Sequence, residues 1–137
     1  MTQMSEIAGN RTHRFRFPAA MASATTDDEQ VLLVAEANFI LVSCFWTPDA
    51  AVTANGTNYS VLSVRNRTGA DAGTALPFQR SYAATNSVAR VKETMTASGT
   101  AADLLVASGD VLTVQRIHTA SGVVIPVGLL ELNYRLR

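Results

Sequence analysis

The chain has 137 residues, 47% of them hydrophobic and 16% charged, with 11 Lys and Arg set against 11 Asp and Glu. That length supports one domain with a genuine core, and the composition excludes intrinsic disorder. A formal net charge of zero lacks the basic excess of a nucleic-acid binder and gives little protection against self-association.

Ten of the eleven basic residues are Arg, and only Lys92 is Lys. Arg is the cation of fixed, multi-donor contacts, so the bias fits a surface packed against partners, as it fits arginine-rich codon usage. The single cysteine, Cys44, excludes an internal disulfide and a cysteine-based metal site. The N-terminus shows no basic-then-apolar leader pattern. The longest apolar region, Val31 to Trp46, is broken by Glu36 and Asn38 and is too short to span a bilayer. These features predict synthesis in a cytoplasm and no membrane partner. Four glycosylation-like tripeptides, starting at Asn10, Asn55, Asn58 and Asn66, read as turn composition.

Along the chain, period-two alternation punctuated by Gly, Asn, Asp and Ser predicts an all-β protein. Residues 1–12, "MTQMSEIAGNRT", show no pattern and read as an N-terminal arm; a single β domain follows over 13–137. "THRFRFPA" puts Phe15 and Phe17 on one face, Arg14 and Arg16 on the other. A polar turn, "TTDDEQ", leads into "VLLVAE". In "FILVSCFWT", Phe39, Leu41 and Phe45 point one way and Ile40, Val42, Cys44 and Trp46 the other, which predicts a central strand covered on both faces. "PDAAVTANGTN" is a connection with an Asn-Gly turn signal, and "YSVLSVRNR" is the next strand. Ala75 to Asn86 reads as a loop with a short strand, "SVARVKETM" as a weak strand. "DLLVA", "VLTVQRIH" and "LLELNYRLR" complete about eight strands. In the last, Leu130, Leu132, Tyr134 and Leu136 share one face. The count and spacing predict a two-sheet β-sandwich or jelly roll of about eight strands with an extended N-terminal arm.

The stretch that looks most chemical is "LVASGDVLTVQRIHTASGVVIPVG", Leu105 to Gly128. Ala-Ser-Gly recurs at 97–99, 107–109 and 120–122, each time between two apolar runs, which reads as hairpin punctuation. There is no G-x-S-x-G nucleophile elbow. Asp110 reads as a turn carboxylate accepting backbone N–H groups, and His118 as a rim residue near a strand end. His13, His118 and Cys44 lack zinc-ligand spacing. Cys44 reads as a buried, inert thiol. The triplet Asp27-Asp28-Glu29 reads as a solvated turn; binding a hard cation would need further carboxylates and a glycine-turn ligand loop that the sequence lacks. Trp46, Tyr59, Phe78, Tyr82 and Tyr134 would form a sugar platform only if exposed together; Phe78 and Tyr82, in the irregular segment, are the better exposed candidates. "RTHRFRF" interleaves Arg and Phe, but three arginines in a neutral protein do not make a single-strand binder. No catalytic, cofactor or metal residue is assigned.

Three segments carry a resemblance. These are "FWTPDAAVTANGTNYSVLSVRNRTG" (Phe45 to Gly69), "LVASGDVLTVQRI" (Leu105 to Ile117) and "IPVGLLELNYRL" (Ile125 to Leu136). Their order resembles that of small jelly-roll proteins on the heads of tailed bacteriophages. There, a strand ends in a Pro-Asp-Ala-Ala-Val type of connection, a Gly-Asp-Val-Leu begins a late strand, and a Pro-x-Gly leads to the final one. The resemblance implies a non-enzymatic head decoration, or cement, protein. Such a protein binds the major capsid protein on the outer capsid surface and reinforces the shell, often as a homotrimer. It would be made in the host cytoplasm and carried on the virion, with no cofactor and no direct nucleic-acid contact. Arg11, His13, Arg14 and Arg16 are the residues assigned to partner contact. The alternative is a receptor- or carbohydrate-binding jelly roll of a phage fibre or baseplate, with Phe78 and Tyr82 exposed. A cupin-type enzyme would need clustered His and carboxylate ligands.

Overall fold

The computed structural model describes residues 9–137, and among these residues ten strands form in chain order. They are β1 (Arg11–Arg16), β2 (Asp28–Val34), β3 (Phe39–Pro48), β4 (Tyr59–Asn66), β5 (Ala75–Ser81), β6 (Glu93–Thr94), β7 (Thr96–Ala97), β8 (Leu105–Val106), β9 (Val111–Thr119) and β10 (Gly128–Leu136). One short 3-10 turn, Ala101–Leu104, precedes β8. The two halves of the chain pair in nested order: β1 with β10, β2 with β9, β3 with β8 and β6, β4 with β5. Every ladder is antiparallel. Sheet A runs β1-β10-β3-β6 with β8 also on β3, and sheet B runs β2-β9-β4-β5-β7. A long hairpin rolled so that its strands fall alternately into two facing sheets is a jelly roll.

The core lies between the sheets. Sheet A contributes Phe39, Leu41, Cys44, Trp46, Leu130 and Leu132, and sheet B contributes Leu62, Val64, Phe78, Leu112 and Val114, all buried. Phe17, just past β1, closes the side of this layer and meets the Trp46 ring edge-on at 5.7 Å. In the C-terminal strand the expected apolar face, Leu130 to Leu136, does turn inward.

Four expectations need correction. The β3 alternation changes phase: Leu41 pairs with Tyr134 but Ser43 with Asn133, so Val42 is the extra residue of a bulge. Phe39 and Leu41 before it, and Cys44 and Trp46 after it, therefore all face inward, and the strand is covered on one face rather than both. The short strand expected within Ala75 to Asn86 is the seven-residue β5, which tolerates Pro77 because the β4–β5 register slips there. "SVARVKETM" supplies only β6 and a single bridge from Ser87 to Val52; Arg90 adopts a positive φ of 62° and breaks any continuous strand. The Ala-Ser-Gly turns at 107–109 and 120–122 are not hairpins, because β8, β9 and β10 lie in alternating sheets. Gly109 and Gly122 do take the positive φ the reversals need, 91° and 60°. At the N-terminal end, residues 1–8 of the expected arm lie outside the described residues. Arg11 and Thr12, assigned to that arm, already pair with Tyr134 and Asn133, so the sheet begins two residues before His13.

Candidate interaction surface

The four residues assigned to partner contact share one strand but not one surface. Among the described residues β1 pairs only with β10, which makes it an edge of sheet A. Period two sends Arg14 and Arg16 to the outer face and Arg11 and His13 to the other side. Arg14 reaches Glu131 at 3.6 Å across the strands, and Arg16 pairs with Asp49. Arg11 and His13 instead border a groove of about 390 Å3, where Leu33, Phe39, Tyr134 and Leu136 form the apolar wall.

On the outer face of sheet A, polar side chains form rows across the strands. Thr12 donates to Asn133 (2.6 Å), whose amide donates to Ser43 (3.0 Å). The next row places Arg14, Glu131 and Phe45 side by side, with the Lys92 ammonium 4.2 Å from the Phe45 ring centre. Further along, Arg135 lies opposite Ile40, and Ile40 opposite Leu105. Val42, at the bulge, and Leu105 stay 43% and 40% exposed.

Sheet B holds the acidic triplet, and here the expectation of a solvated turn fails. Asp28 and Glu29 lie in β2, and each of the three carboxylates has its own partner. Arg116 donates twice to Asp28 (2.8 and 2.5 Å). Arg67 donates twice to Glu29 (2.6 and 2.5 Å), and the Thr113 hydroxyl adds a third bond at 2.6 Å. Asp27 accepts from the His118 backbone N–H at 2.8 Å and lies 2.6 Å from its Nδ1. Among the described residues, no three or more His, Cys, Asp or Glu side chains are grouped to hold a metal ion.

Sequence reasoning missed Arg116. Its side chain is 1% exposed, stacks 4.0 Å from the Phe17 ring centre, and donates to the carbonyls of Ala19 (3.0 Å) and Ile125 (3.4 Å). It thus ties β9 to β2 and to the loops on either side. The signal was present, because Arg116 keeps the inward phase of Leu112 and Val114, but alternation alone gives no reason to bury a guanidinium.

These pairs set a pH dependence. The Arg67 guanidinium, with help from Thr113, holds the Glu29 carboxyl below its ordinary range; the His118 backbone N–H, then its side chain, do the same for Asp27. A depressed carboxylate stabilises the fold fully above its unfolded value, about 4.3 for Glu, and that contribution disappears as pH falls through the lower folded value. Thermal midpoints should therefore fall more steeply below pH ~4.3 in the native protein than in Glu29→Gln. Equal slopes would mean the Glu29 pair contributes no linked stability.

Other sequence candidates settle into structure. The Asp110 carboxylate accepts from the Ala107 N–H and the Asn66 amide, both at 3.0 Å, and is a turn residue as expected. Cys44 is fully buried, and desolvation pushes its thiol far above the ordinary value. Phe78 and Tyr82, the better candidates for an exposed aromatic contact, are buried. The reason is that β5 is a real strand whose inner phase carries Phe78. The Tyr82 hydroxyl accepts from Trp46 Nε1 (3.0 Å) and Ser87 (2.9 Å), and burial raises its pKa.

Above the outer face of sheet B, a cleft of about 490 Å3 lies between Val31, Val111 and the loop carrying Thr68 and Gly69, with Glu29 and Asp71 at its sides. Val31, Val34 and Ile117 on this face remain exposed. No helix among the described residues is long and apolar enough to cross a membrane.

No protein-family model and no curated protein matches the chain. Among solved structures it has a likeness to one titled "Structure of infectious bursal disease virus Gx strain", at 8% identity and a TM-score of 0.37. The likeness covers 93% of this chain and 32% of that one, so the present chain spans about a third of its length. The fold assignment rests on the strand order itself.

Proposed function

We propose that this chain is a non-enzymatic virion structural protein that binds the outside of a phage capsid and stabilises it, as a decoration protein of homotrimeric form. Its partners in this reading are the major capsid protein and further copies of itself, with no direct nucleic-acid or membrane contact. It is made in the host cytoplasm and ends on the virion.

The observation that carries the reading is how the reactive side chains are used. Asp27, Asp28, Glu29 and Asp110 are bound to partners within the fold, Cys44 is buried, and Arg116 is a structural tie. Outward-facing cations and aliphatic residues are left to meet a macromolecule, a composition suited to protein contact. The three segments that resemble phage head proteins fall on the β3–β4 crossover with β4, on β8 with β9, and on β10, which are the parts that define the jelly roll. Burial of Phe78 and Tyr82 removes the exposed aromatics on which the carbohydrate-binding alternative relied.

The test is co-sedimentation of the purified chain with heads of the phage that encodes it, freed of this protein. Saturable binding that raises the heads' resistance to heat is the expected result. Absence of binding, or binding without stabilisation, overturns the reading.

A further inference from the structure

We propose that the outer face of sheet A is a subunit contact, which seats on the outer face of sheet B of a second copy of this chain, head to tail. The proposal rests on the reading above only for the existence of an oligomer, and it names the surfaces that hold that oligomer together.

Face A has an apolar centre and a cationic border. Val42 and Leu105 are exposed on it, with half-buried Ile40 and Phe45 between and beside them. Around this strip stand Arg14, Arg16, Lys92 and Arg135, against Glu131 and, at the rim, Asp49. Arg14 is 63% exposed, and its contact with Glu131 is long at 3.6 Å, so the guanidinium keeps most of its donors for another acceptor. The bulge matters here, because it lets Val42 and Ser43 both face outward while Leu41 before them and Cys44 after them face inward.

Face B has the opposite sign around a similar apolar strip. Val31 and Val34 are 59% and 56% exposed there, with Ile117 further along. Three acids, Asp27, Glu29 and Asp71, stand on it, and Asp71 is 82% exposed. Two cations stand among them, Arg67 paired with Glu29 and Asp71, and Arg65 donating to the Gly73 carbonyl, so the acids outnumber the arginines by one. The cleft between Val31 and the Thr68–Gly69 loop offers an apolar floor with carboxylates at its sides, which suits an arginine or an aliphatic side chain.

Pairing face A with face A would set arginine against arginine across the contact. Pairing A with B brings opposite signs and two apolar strips together. The zero net charge of the whole chain hides this polarity between its faces. A contact between two different surfaces cannot close as a two-fold dimer; it repeats, and it ends only when the copies form a ring. Closure into the proposed homotrimer requires each contact to tilt successive copies, because the outer faces of two packed sheets point in opposite directions.

Sedimentation velocity of the full chain at low and high salt tests this. The native protein should be oligomeric at low salt and dissociate as salt screens the contact. Arg14→Glu with Arg135→Glu, and separately Asp27→Lys with Asp71→Lys, should each weaken association at least tenfold. Carrying all four substitutions in one chain should restore it, since the reversed face A then meets the reversed face B at every contact. Leu105→Asp is a second probe of face A that leaves every ion pair intact. Variants are compared only where their thermal midpoint matches the native value. A native protein that is monomeric at every salt concentration overturns the proposal and the trimer together, while head binding is still decided by co-sedimentation. An oligomer that all three variants leave unchanged overturns this proposal alone.

Discussion

Arg116→Ala should destabilise the fold by about 3–5 kcal/mol, the cost of breaking a buried ion pair from one side. The guanidinium is almost wholly inaccessible, and four of its hydrogen bonds have named acceptors: two on Asp28, one on Ala19 and one on Ile125. Truncation leaves the two carbonyls without their donor and the Asp28 carboxylate without its counter-ion. It also opens a void against the Phe17 ring, which now has the guanidinium on its face. At several degrees per kcal/mol for a domain of this size, the thermal midpoint should drop by roughly 10–20 °C. Scanning calorimetry measures both quantities. Arg116→Met combined with Asp28→Leu should recover much of the loss, because replacing both charges by apolar groups removes the orphaned carboxylate. A loss below about 1 kcal/mol for Arg116→Ala would mean that water takes over the guanidinium's bonds, and that the site is less closed than its burial implies.

Gly128→Ala should cost about 3 kcal/mol, near the upper end for overpacking a well-filled interior. Gly128 opens β10 opposite Pro48, and a methyl group there would lie 2.5 Å from the Trp46 ring and 2.6 Å from the Thr47 carbonyl oxygen. Neither neighbour can give way easily. The Trp46 ring is fully buried, held by its bond to the Tyr82 hydroxyl and by the Phe17 ring against its face or edge. The carbonyl belongs to the central strand of sheet A. Urea unfolding should therefore show a lower midpoint with an unchanged slope, the mark of a strained native state with the same unfolded one. The paired variant Gly128→Ala with Trp46→Phe should be less destabilised than the sum of its single variants, since the smaller ring vacates the contested space. Full additivity would locate the strain at the Thr47 carbonyl instead. The same contact explains why the sequence carries Pro-x-Gly before its last strand: glycine lets β10 approach the tryptophan.

Both predictions turn on residues that the sequence shows but does not rank. Arg116 shares the inward phase of Leu112 and Val114, with nothing nearby in sequence to pair it, and Gly128 reads as one more turn glycine. What raises them above their neighbours is the second sheet, which brings Asp28, Phe17 and Trp46 against them from positions far along the chain. The candidate surface was legible only in part, for the same reason. "THRFRF" fixes Arg14 and Arg16 on one face of β1, and the structure keeps them there. It does not tell that Lys92, Arg135, Val42 and Leu105 join that face, because those residues arrive through the segment before β6 and through β10, β3 and β8.

By itself the sequence determined the all-β class, the two-sheet architecture, the inward faces of β1 and β10, the turn role of Asp110 and the burial of Cys44. Each of these depends on alternation or on turn chemistry within a few residues, so local patterning suffices. Only the tertiary structure decided the rest: the bulge at Val42, the extent and inward phase of β5, the crossovers at the Ala-Ser-Gly turns, and the pairing of Asp28 and Glu29 with Arg116 and Arg67. A period of two says which residues share a face but not which face is covered, and one extra residue in a strand reverses the answer. The ion pairs join residues 88 and 38 positions apart, and their partners are chosen by where the rolled hairpin brings the strands together.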